Sequence, residues 1–361
     1  MNAFSKKKVL VTGHTGFKGS WLSLWLSRMG ARVYGWSDKV PTIPSHFELT
    51  KDHLADDVRG DVGDGPAFSN YLDSVAPDFV FHLAAQPIVF KSFECPASTF
   101  MTNCMGTVHV LDSLRRMSKP CVAVMITSDK CYDNDERSGP YAENDRLGGK
   151  DPYSGSKGAA ELAIRSYVQS FFKDENSLVG LGVGRAGNVI GGGDWADYRV
   201  VPDCVRAWSK GDSPKIRNPR STRPWQHVLE PLSGYLVLAS RLQLHQVACG
   251  SCFNFGPPES EERTVAELID EMIFSWKDKS WINEGHGGGK LPEANLLKLN
   301  CSKAHNELGW QRTLNFSETA KWTSEWYQTY YDKGVASAYE KTIEQIEEFE
   351  KLALSRETFA I

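Results

Sequence analysis

This sequence has no long run of apolar residues. No stretch of roughly 18 consecutive apolar residues occurs in its 361 positions, so the sequence predicts no membrane-spanning helix. The first eight residues are basic and lead directly into the segment VLVTG at residues 9–13. They lack the apolar stretch and the small-residue cleavage site of a signal peptide, so we expect a cytoplasmic protein.

A large excess of charge of one sign is also missing. The chain has 41 Lys and Arg residues against 45 Asp and Glu residues, which gives a net charge of -4. This balance does not favour nucleic acid as a partner. Hydrophobic residues make up 41% of the chain and charged residues 24%, which is typical of a globular protein, and the length allows one large α/β unit with a smaller lobe.

The eight cysteines are not spaced as a disulfide framework or a metal site. Only Cys249 and Cys252 form a C-x-x-C pair, and neither a second pair nor a suitably spaced histidine accompanies them. We interpret this pair as a chance spacing. The sequence therefore predicts reduced thiols and no metal site.

Buried strands and helices alternate through the first half of the chain. β-branched, continuously apolar runs predict strands at residues 8–12, 32–35, 78–83, 122–127 and 180–185, and the segments between them predict crossover helices at 17–29, 67–75, 99–117 and 154–172. Runs of this kind are typical of a parallel sheet covered by helices on both faces. The predicted fold class is α/β, with a doubly wound parallel sheet of the Rossmann type.

The second half of the chain is less regular. We assign residues 1–183 to a dinucleotide-binding domain and residues 184–361 to a smaller C-terminal substrate-binding lobe, from which some segments return to the first domain. Residues 133–151 and 284–290 are polar and read as loops, and the first of these is expected to cover the substrate. Residues 339–352 predict a charged helix with one apolar side.

Three glycines follow the first predicted strand and open the first helix. Gly13, Gly16 and Gly19 allow a tight turn and a close approach of the backbone to a pyrophosphate, whose charge would lie at the helix N-terminus. This arrangement predicts a dinucleotide site. We expect the other loop residues Thr15, Phe17 and Lys18 to take part in it.

The spacing G-x-x-G-x-x-G resembles that of the extended short-chain dehydrogenases/reductases. Asp38 follows the second strand, where an acid would bind the ribose hydroxyls of NAD, although Lys39 beside it could instead accept the 2′-phosphate of NADP. NAD is the expected cofactor. The resemblance further implies cofactor contacts from Asp61, Val62, Leu83, Ala84, Ala85, Gln86 and Asn103.

Tyr153 and Lys157 predict hydride-transfer chemistry. Residues four apart share one face of a helix, so both side chains can point into the same groove. A phenol has an unperturbed pKa near ~10, and a nearby ammonium and the nicotinamide charge would help it to ionise. Ser128, at the end of a predicted strand, would hold the substrate hydroxyl in line.

Asp129 and Lys130 follow Ser128 directly and can be read in two ways. Side chains alternate along a strand, so Asp129 joins the site only if the strand ends here, as the polar residues after it suggest. It would then serve acid–base chemistry with Lys130. The alternative is a local Asp–Lys ion pair without a catalytic role.

Four segments resemble the nucleotide-sugar 4,6-dehydratases, and among them the CDP-glucose enzymes. They are GHTGFKGSWL at 13–22, SDKCY at 128–132, RAGNVIGGGDW at 185–195 and RPWQHV at 223–228. The family commonly carries Thr-Asp-Glu where this chain has Ser128-Asp129-Lys130. The resemblance implies NAD-dependent dehydration of CDP-glucose to its 4-keto-6-deoxy form, with Tyr153 and Lys157 in the oxidation and Asp129 protonating the departing 6-hydroxyl.

Several alternatives remain open at this point. Lys130 stands where relatives keep a carboxylate, and could act as the C5 base or stabilise the enolate while charged. The substrate could be another nucleotide-glucose, and the activity could be that of a nucleotide-sugar 4-epimerase or a non-catalytic NAD sensor. The resemblance also implies a deoxysugar pathway of the O-antigen type.

A nucleotide-sugar substrate carries a negatively charged diphosphate, so we expect positively charged side chains in the second half of the chain to bind it. Arg199, Arg217, Arg220 and Arg223 are candidates, since the planar guanidinium binds two phosphate oxygens. Arg199 and Arg223 are the expected contacts. By resemblance, Asn188 binds the diphosphate, Gln86 and Ser128 contact the substrate, and the helices at 99–117 and 154–172 pair between subunits, which predicts a homodimer or homotetramer.

Overall fold

A central sheet of seven parallel strands organises the protein. The computed structural model describes residues 2–137, 139–174, 176–258, 261–276, 278–285 and 297–359. In these ranges the strand order is β7-β6-β5-β4-β1-β2-β3. The strands are β1 Lys8–Thr12, β2 Arg32–Ser37, β3 Asp56–Arg59, β4 Phe79–His82, β5 Cys121–Ile126, β6 Val179–Arg185 and β7 Ser251–Asn254.

The sheet confirms the predicted doubly wound α/β fold. All five predicted strands are present, and the first has the predicted bounds. Two strands were missed at the edges of the sheet, β3 and β7. β7 comes from the second half of the chain and pairs with β6 from Ser251↔Gly182 to Asn254↔Arg185, so the later half of the sequence contributes directly to the central sheet.

Helices cover both faces of the sheet. One apolar core joins β1, β4 and β5 to helices α1 and α6, and the other joins the opposite face to α2, α3 and α4. The longer helices are α1 Phe17–Arg28, α2 Gly65–Val75, α3 Gly106–Leu114, α4 Pro152–Tyr167, α5 Val200–Ser209, α6 Leu229–Gln243, α7 Val265–Ile273, α8 Phe316–Lys333 and α9 Val335–Arg356. In the described ranges no helix is both long enough and apolar enough to cross a membrane.

Short elements complete the fold. Pro96–Phe100 and Met101–Met105 lead into α3, and Val168–Phe172 extends α4, so the two long predicted helices are present with slightly shifted ends. Further helical turns are His46–Thr50, Lys51–His53, Val89–Glu94, Asp129–Cys131 and Ala304–Leu308. Two-residue strands are Val189–Ile190, Lys215–Ile216, Thr222–Arg223, Gln226–His227, Arg263–Thr264 and Ile282–Asn283.

The structure can be compared with the predicted loop at 133–151, with part of the predicted loop at 284–290, and with the predicted C-terminal helix. The described part of residues 133–151 is irregular, and it is held by a bridge from Tyr132 to Leu147 and another from Tyr141 to Leu299. Residues 286–290 of the second predicted loop lie outside the described residues. The C-terminal helix α9 is longer than predicted at both ends, and Ile346 and Phe349 on its apolar side are buried.

Candidate active site

The glycine loop approaches the end of β4 as closely as backbone can. Gly13 has φ +74°, and a Cβ there would lie 2.7 Å from the Ala84 nitrogen. A Cβ at Gly19 would lie 2.1 Å from the Gly13 carbonyl oxygen. Gly16 is the N-cap residue of α1 and supplies no side-chain cap. The helix N-terminus can therefore offer its N–H groups to an anion, which fits the pyrophosphate of a dinucleotide.

His14 fastens this loop to the neighbouring strands. Its Nε2 lies 2.7 Å from Asp57 Oδ1 and its Nδ1 lies 3.0 Å from Ser37 Oγ. The ring occupies the space that a side chain at Gly35 would need, since a Cβ there would lie 2.4 Å from the ring. Burial lowers the pKa of His14, which favours the neutral ring.

The two side chains that bear on the choice between NAD and NADP lie next to each other. Asp38 is exposed just beyond β2, accepts a hydrogen bond from its neighbour's backbone N–H at 2.8 Å, and has Lys39 Nζ 3.6 Å from its Oδ2. Beyond β3, Asp61 is exposed and accepts a hydrogen bond from the Gly63 N–H at 2.7 Å, and Val62 is buried. The cofactor role of each stays a prediction.

Asn103 joins the end of β4 to helix α4. Its Oδ1 accepts from the Gln86 N–H at 2.8 Å, and its Nδ2 donates to the Gln86 carbonyl at 3.1 Å and to Ser156 Oγ at 2.9 Å. Its amide thus braces α4 against the strand end. Three residues connect the end of β4 to Gln86 and are half-buried beside the glycine loop, namely Leu83, Ala84 and Ala85.

Strand β5 ends at Ile126, and a helical turn follows at once. Ser128 caps this turn, Asp129–Cys131, by accepting a hydrogen bond from the Lys130 N–H at 3.2 Å. Its hydroxyl donates to Asp129 Oδ1 at 2.8 Å, and Lys130 Nζ lies 3.6 Å from Asp129 Oδ2. Because the strand has ended, strict alternation no longer applies, and the three side chains lie together.

Tyr153 and Lys157 face this turn from α4. Asp151 caps the helix by accepting from the Ser154 N–H at 2.9 Å, which fixes its start one residue before the tyrosine. Burial raises the pKa of Tyr153 to about 12, against an opposing hydrogen bond with Ser128. Burial also lowers the pKa of Lys157 to about 8. Burial therefore moves the pKa values of the two groups apart, from nearly equal values in free side chains to about 12 for Tyr153 and about 8 for Lys157.

Two further cations lie close to these residues. Burial, and then the charges of Lys157 and Arg199, lower the pKa of Lys18 to about 7, and its Nζ lies 3.5 Å from the Tyr235 hydroxyl. Arg199 donates to Asp194 at 2.7 Å, and its charge favours the ionised form of Tyr153. Arg199 thus lies beside Tyr153.

A cleft of about 300 Å³ opens in front of the turn. Lys130 and Arg199 line it together with Phe90 and Tyr198, whose rings stack with centroids 5.0 Å apart. The predicted covering segment contributes Asn134, Glu136, Gly149, Lys150 and Asp151. Lys130 of the turn, the Arg199 guanidinium and the loop at 133–151 therefore line the same cleft.

The residues that were predicted to bind the diphosphate differ in their burial and in their contacts. Asn188 has φ +52°, and among the described residues its buried Nδ2 has no hydrogen-bond partner, which fits a group that binds a ligand. Arg223 lies on a two-residue strand and donates to the Thr222 carbonyl at 2.8 Å. The Arg217 guanidinium lies 5.9 Å from the Phe90 ring centroid, and Arg220 is exposed.

Sequence reasoning missed two features that shape the site. A Cβ at Gly187 would lie 2.2 Å from the Asp129 carboxylate, so this glycine makes room for it. A buried ion pair joins Glu161 to Arg185 behind the turn. Glu161 follows Lys157 by four residues, and this spacing could have placed it on the same face of α4 as Tyr153 and Lys157. Among the described residues no cluster of three metal-ligating side chains occurs.

Comparison with known proteins identifies the family. The family model described as GDP-mannose 4,6 dehydratase matches residues 10–323. The chain belongs to this family. Over 334 residues it is 47% identical to the CDP-glucose 4,6-dehydratase of Salmonella typhimurium strain LT2, with 90% of this chain and 92% of that protein covered. A dTDP-glucose 4,6-dehydratase of Xanthomonas campestris pv. campestris is 25% identical, with 89% and 93% covered.

Solved structures of a nucleotide-sugar epimerase and of a nucleotide-sugar dehydratase share the fold. UDP-glucose 4-epimerase from Brucella ovis in complex with NAD superposes with a TM-score of 0.76 at 18% identity, covering 89% of this chain and 98% of that chain. The dTDP-glucose 4,6-dehydratase of Bacillus anthracis in complex with NAD gives 0.72 at 20% identity, covering 90% and 97%. These likenesses concern the fold of the chain.

Proposed function

We propose that this protein is a CDP-glucose 4,6-dehydratase, which converts CDP-D-glucose to CDP-4-keto-6-deoxy-D-glucose and water. The observation that carries the proposal is the position of Asp129 and Lys130 beside Ser128, opposite Tyr153. Oxidation at C4 alone requires neither an acid nor an amine at this turn. The 47% identity to the Salmonella enzyme supports cytidine as the base of the substrate.

NAD is the cofactor that the site is proposed to hold. The uncapped N-terminus of α1 and the close glycine loop fit its pyrophosphate, and Asp38 is placed beyond β2 for the adenosine ribose. When bound, NAD would supply a hydride acceptor for C4 and the hydride donor for C6, so no net oxidation would result.

Tyr153 is proposed to remove the proton of the 4-hydroxyl group. With a pKa of about 12 its phenol is protonated near neutral pH in the chain alone, so it needs positive charge nearby to ionise. Lys157 supplies such charge, because a group with a pKa of about 8 is still mostly protonated at pH 7. Ser128 would hold the reacting hydroxyl against the phenol.

Elimination is assigned to the turn at 129–130. The 4-ketone makes the C5 proton acidic, and Asp129 would deliver a proton to the departing 6-hydroxyl group. Lys130 faces the cleft beside Asp129 and could remove the C5 proton after losing its own, or remain charged and stabilise the enolate. Asn188 and Arg199, with Arg223, are proposed to bind the diphosphate, and Gln86 to contact the sugar.

One experiment tests the proposal against its rivals. The protein is incubated with NAD and, separately, with the glucose derivatives of CDP, dTDP, UDP and GDP in deuterated water. We expect a 4-keto-6-deoxy product with deuterium at C5 from CDP-glucose above the others. A galactose product without label would instead indicate a 4-epimerase, and no turnover of any substrate would contradict enzymatic function.

Lys130→Met separates the two roles of this residue. If Lys130 is the C5 base, the variant should fold and still oxidise C4 but incorporate no deuterium at C5. If Lys130 acts through its charge, some incorporation should remain. The matched control is Lys150→Met, which removes another lysine of the same cleft.

The remaining proposals concern the oligomeric state of the protein, its location and pathway, and the roles of its two domains. Exposed apolar side chains on the helices at 96–114 and 152–172, such as Met101, Leu162 and Phe171, would be covered in a homodimer or homotetramer. We place the enzyme in the cytoplasm and in deoxysugar synthesis of the O-antigen type. Residues 1–183 are assigned to NAD and residues 184–361 mainly to the nucleotide sugar.

A further inference from the structure

The ion pair between Glu161 and Arg185 lies behind the catalytic turn, away from the cleft. Arg185 ends β6 and donates to Glu161 through Nε and Nη2, each at 2.8 Å. The two side chains are only 3% and 2% exposed. Parallel hydrogen bonds of this kind fix the relative orientation of both groups. A buried ion pair is a weak source of net stability, so its geometry is the more informative property.

Each partner of the pair binds one end of the turn that carries Asp129. Thr127, which precedes the turn, donates its hydroxyl to Glu161 Oε1 at 2.5 Å. Tyr132, which follows the turn, accepts a hydrogen bond from Arg185 Nη1 at 2.8 Å. The four residues between them, SDKC at 128–131, are thus held at both ends by the same pair.

The pair also ties the turn to the helix of the catalytic tyrosine. Tyr153, Lys157 and Glu161 follow one another at intervals of four on α4, and therefore share one face. Any shift of the turn relative to this face would have to disturb the hydrogen bonds of Glu161. The buried pair therefore helps to set the distance between the oxidation residues and the elimination residues.

The same contacts reach the loop that lines the cleft. The Tyr132 hydroxyl donates to Asn254 Oδ1 at 2.7 Å, and Asn254 Nδ2 donates to the Tyr141 carbonyl at 2.9 Å. Arg185 Nη1 also donates to the Glu143 carbonyl at 3.1 Å. The backbone of the covering loop is therefore fixed to the ion pair as well.

We propose that the Glu161–Arg185 pair is a positioning device, which holds Asp129 and Lys130 in line with the sugar that Tyr153 oxidises. This inference rests on the proposed function, in which residues 129 and 130 perform the elimination. Releasing the far end of the turn should then slow elimination more than oxidation at C4. Tyr132→Phe makes that change by removing the hydroxyl group, which accepts from Arg185 and donates to Asn254.

The test compares the two steps in single-turnover experiments with the NAD-loaded enzyme and CDP-glucose. The rise in absorbance of the reduced nicotinamide reports C4 oxidation, and quenched samples report the 4-keto-6-deoxy product. For Tyr132→Phe we expect product formation to fall roughly tenfold or more, as for a lost hydrogen bond to a charged group, and oxidation to change by less than about twofold. Equal losses in both steps, or no loss, would overturn the inference.

A control and a second readout accompany this test. Tyr141 stacks on Tyr132 with ring centroids 5.2 Å apart, but its hydroxyl bonds to Asp135 rather than to the turn. Tyr141→Phe should keep the wild-type ratio of the two rates. Without substrate, amide hydrogen exchange at residues 129–132 should be faster in Tyr132→Phe, and unchanged exchange would also count against the inference. Failure of the proposed function would be separate, since the wild type would then form no product.

Discussion

Gly187 leaves no room for a side chain beside the acid of the proposed dehydration. A Cβ at this position would lie 2.2 Å from both Cγ and Oδ2 of Asp129. Ordinary contacts begin at 3.4 Å, so in Gly187→Ala the methyl group and the carboxylate must separate by about 1.2 Å. The carboxylate is also held by Ser128 and Lys130, and those contacts would be strained or lost.

The size of the effect follows from this displacement. A misplacement of about 1 Å can cost a catalytic group on the order of 100-fold in rate, and the added volume should cost about 1–3 kcal/mol of stability. We therefore expect Gly187→Ala to fold, to retain oxidation at C4, and to form the 4-keto-6-deoxy product about 100-fold more slowly. Product formation from CDP-glucose and thermal unfolding are the two measurements.

Gly180→Ala is the matched control for this variant. Gly180 lies on β6, the strand that ends two residues before Gly187, and the nearest atom to its added Cβ is the Leu242 carbonyl oxygen at 3.9 Å. That variant should behave like the wild type. Wild-type turnover by Gly187→Ala with unchanged unfolding would refute the argument, because it would mean that Asp129 can move freely or is not needed.

Three further predictions concern stability, pH and assembly. Arg185→Met leaves Glu161 buried without its partner, so the free energy of unfolding in urea should fall by about 3–5 kcal/mol, and a loss below about 1 kcal/mol would contradict the buried geometry. Because burial lowers the pKa of Lys157 from 10.5 to about 8, the unfolded chain binds more protons between these values, and the stability of the wild type relative to Lys157→Met should rise with pH across that range by up to about 1.4 kcal/mol per pH unit. Leu162→Glu, at a side chain 54% exposed on α4, should give a smaller species in analytical ultracentrifugation, and an unchanged size would exclude this face as the contact between subunits.

The buried strands were predictable because a short, continuously apolar sequence is compatible with few other structures. β5 is apolar and buried at all six positions, and such a run is typical of a central parallel strand. β3 was missed because it is a polar edge strand, in which only Val58 is even half-buried. β7 was missed because four residues with Ser251 and Asn254 at their ends give too short a pattern.

The site was predictable where its residues are neighbours in sequence. The spacing of Tyr153 and Lys157 on one helix and the segment 128–130 could be read directly, and the structure brings them together. The contact of Gly187 with Asp129 could not, because it depends on how β6 lies against the end of β5. For the same reason Arg185 was noted only as part of a motif, without its partner Glu161.

The way in which the turn at 129–131 is held has a consequence for how such enzymes can change in evolution. The hydroxyl groups of Thr127 and Tyr132 bind the supporting ion pair, whereas the side chains of Asp129 and Lys130 do not. The side chains at positions 129 and 130 can therefore be substituted while the hydrogen bonds that hold the turn remain in place. A substitution such as Lys130→Glu would require no change in the fold. The reaction at C5 and C6 can therefore change in evolution while the residues proposed for oxidation at C4 stay the same.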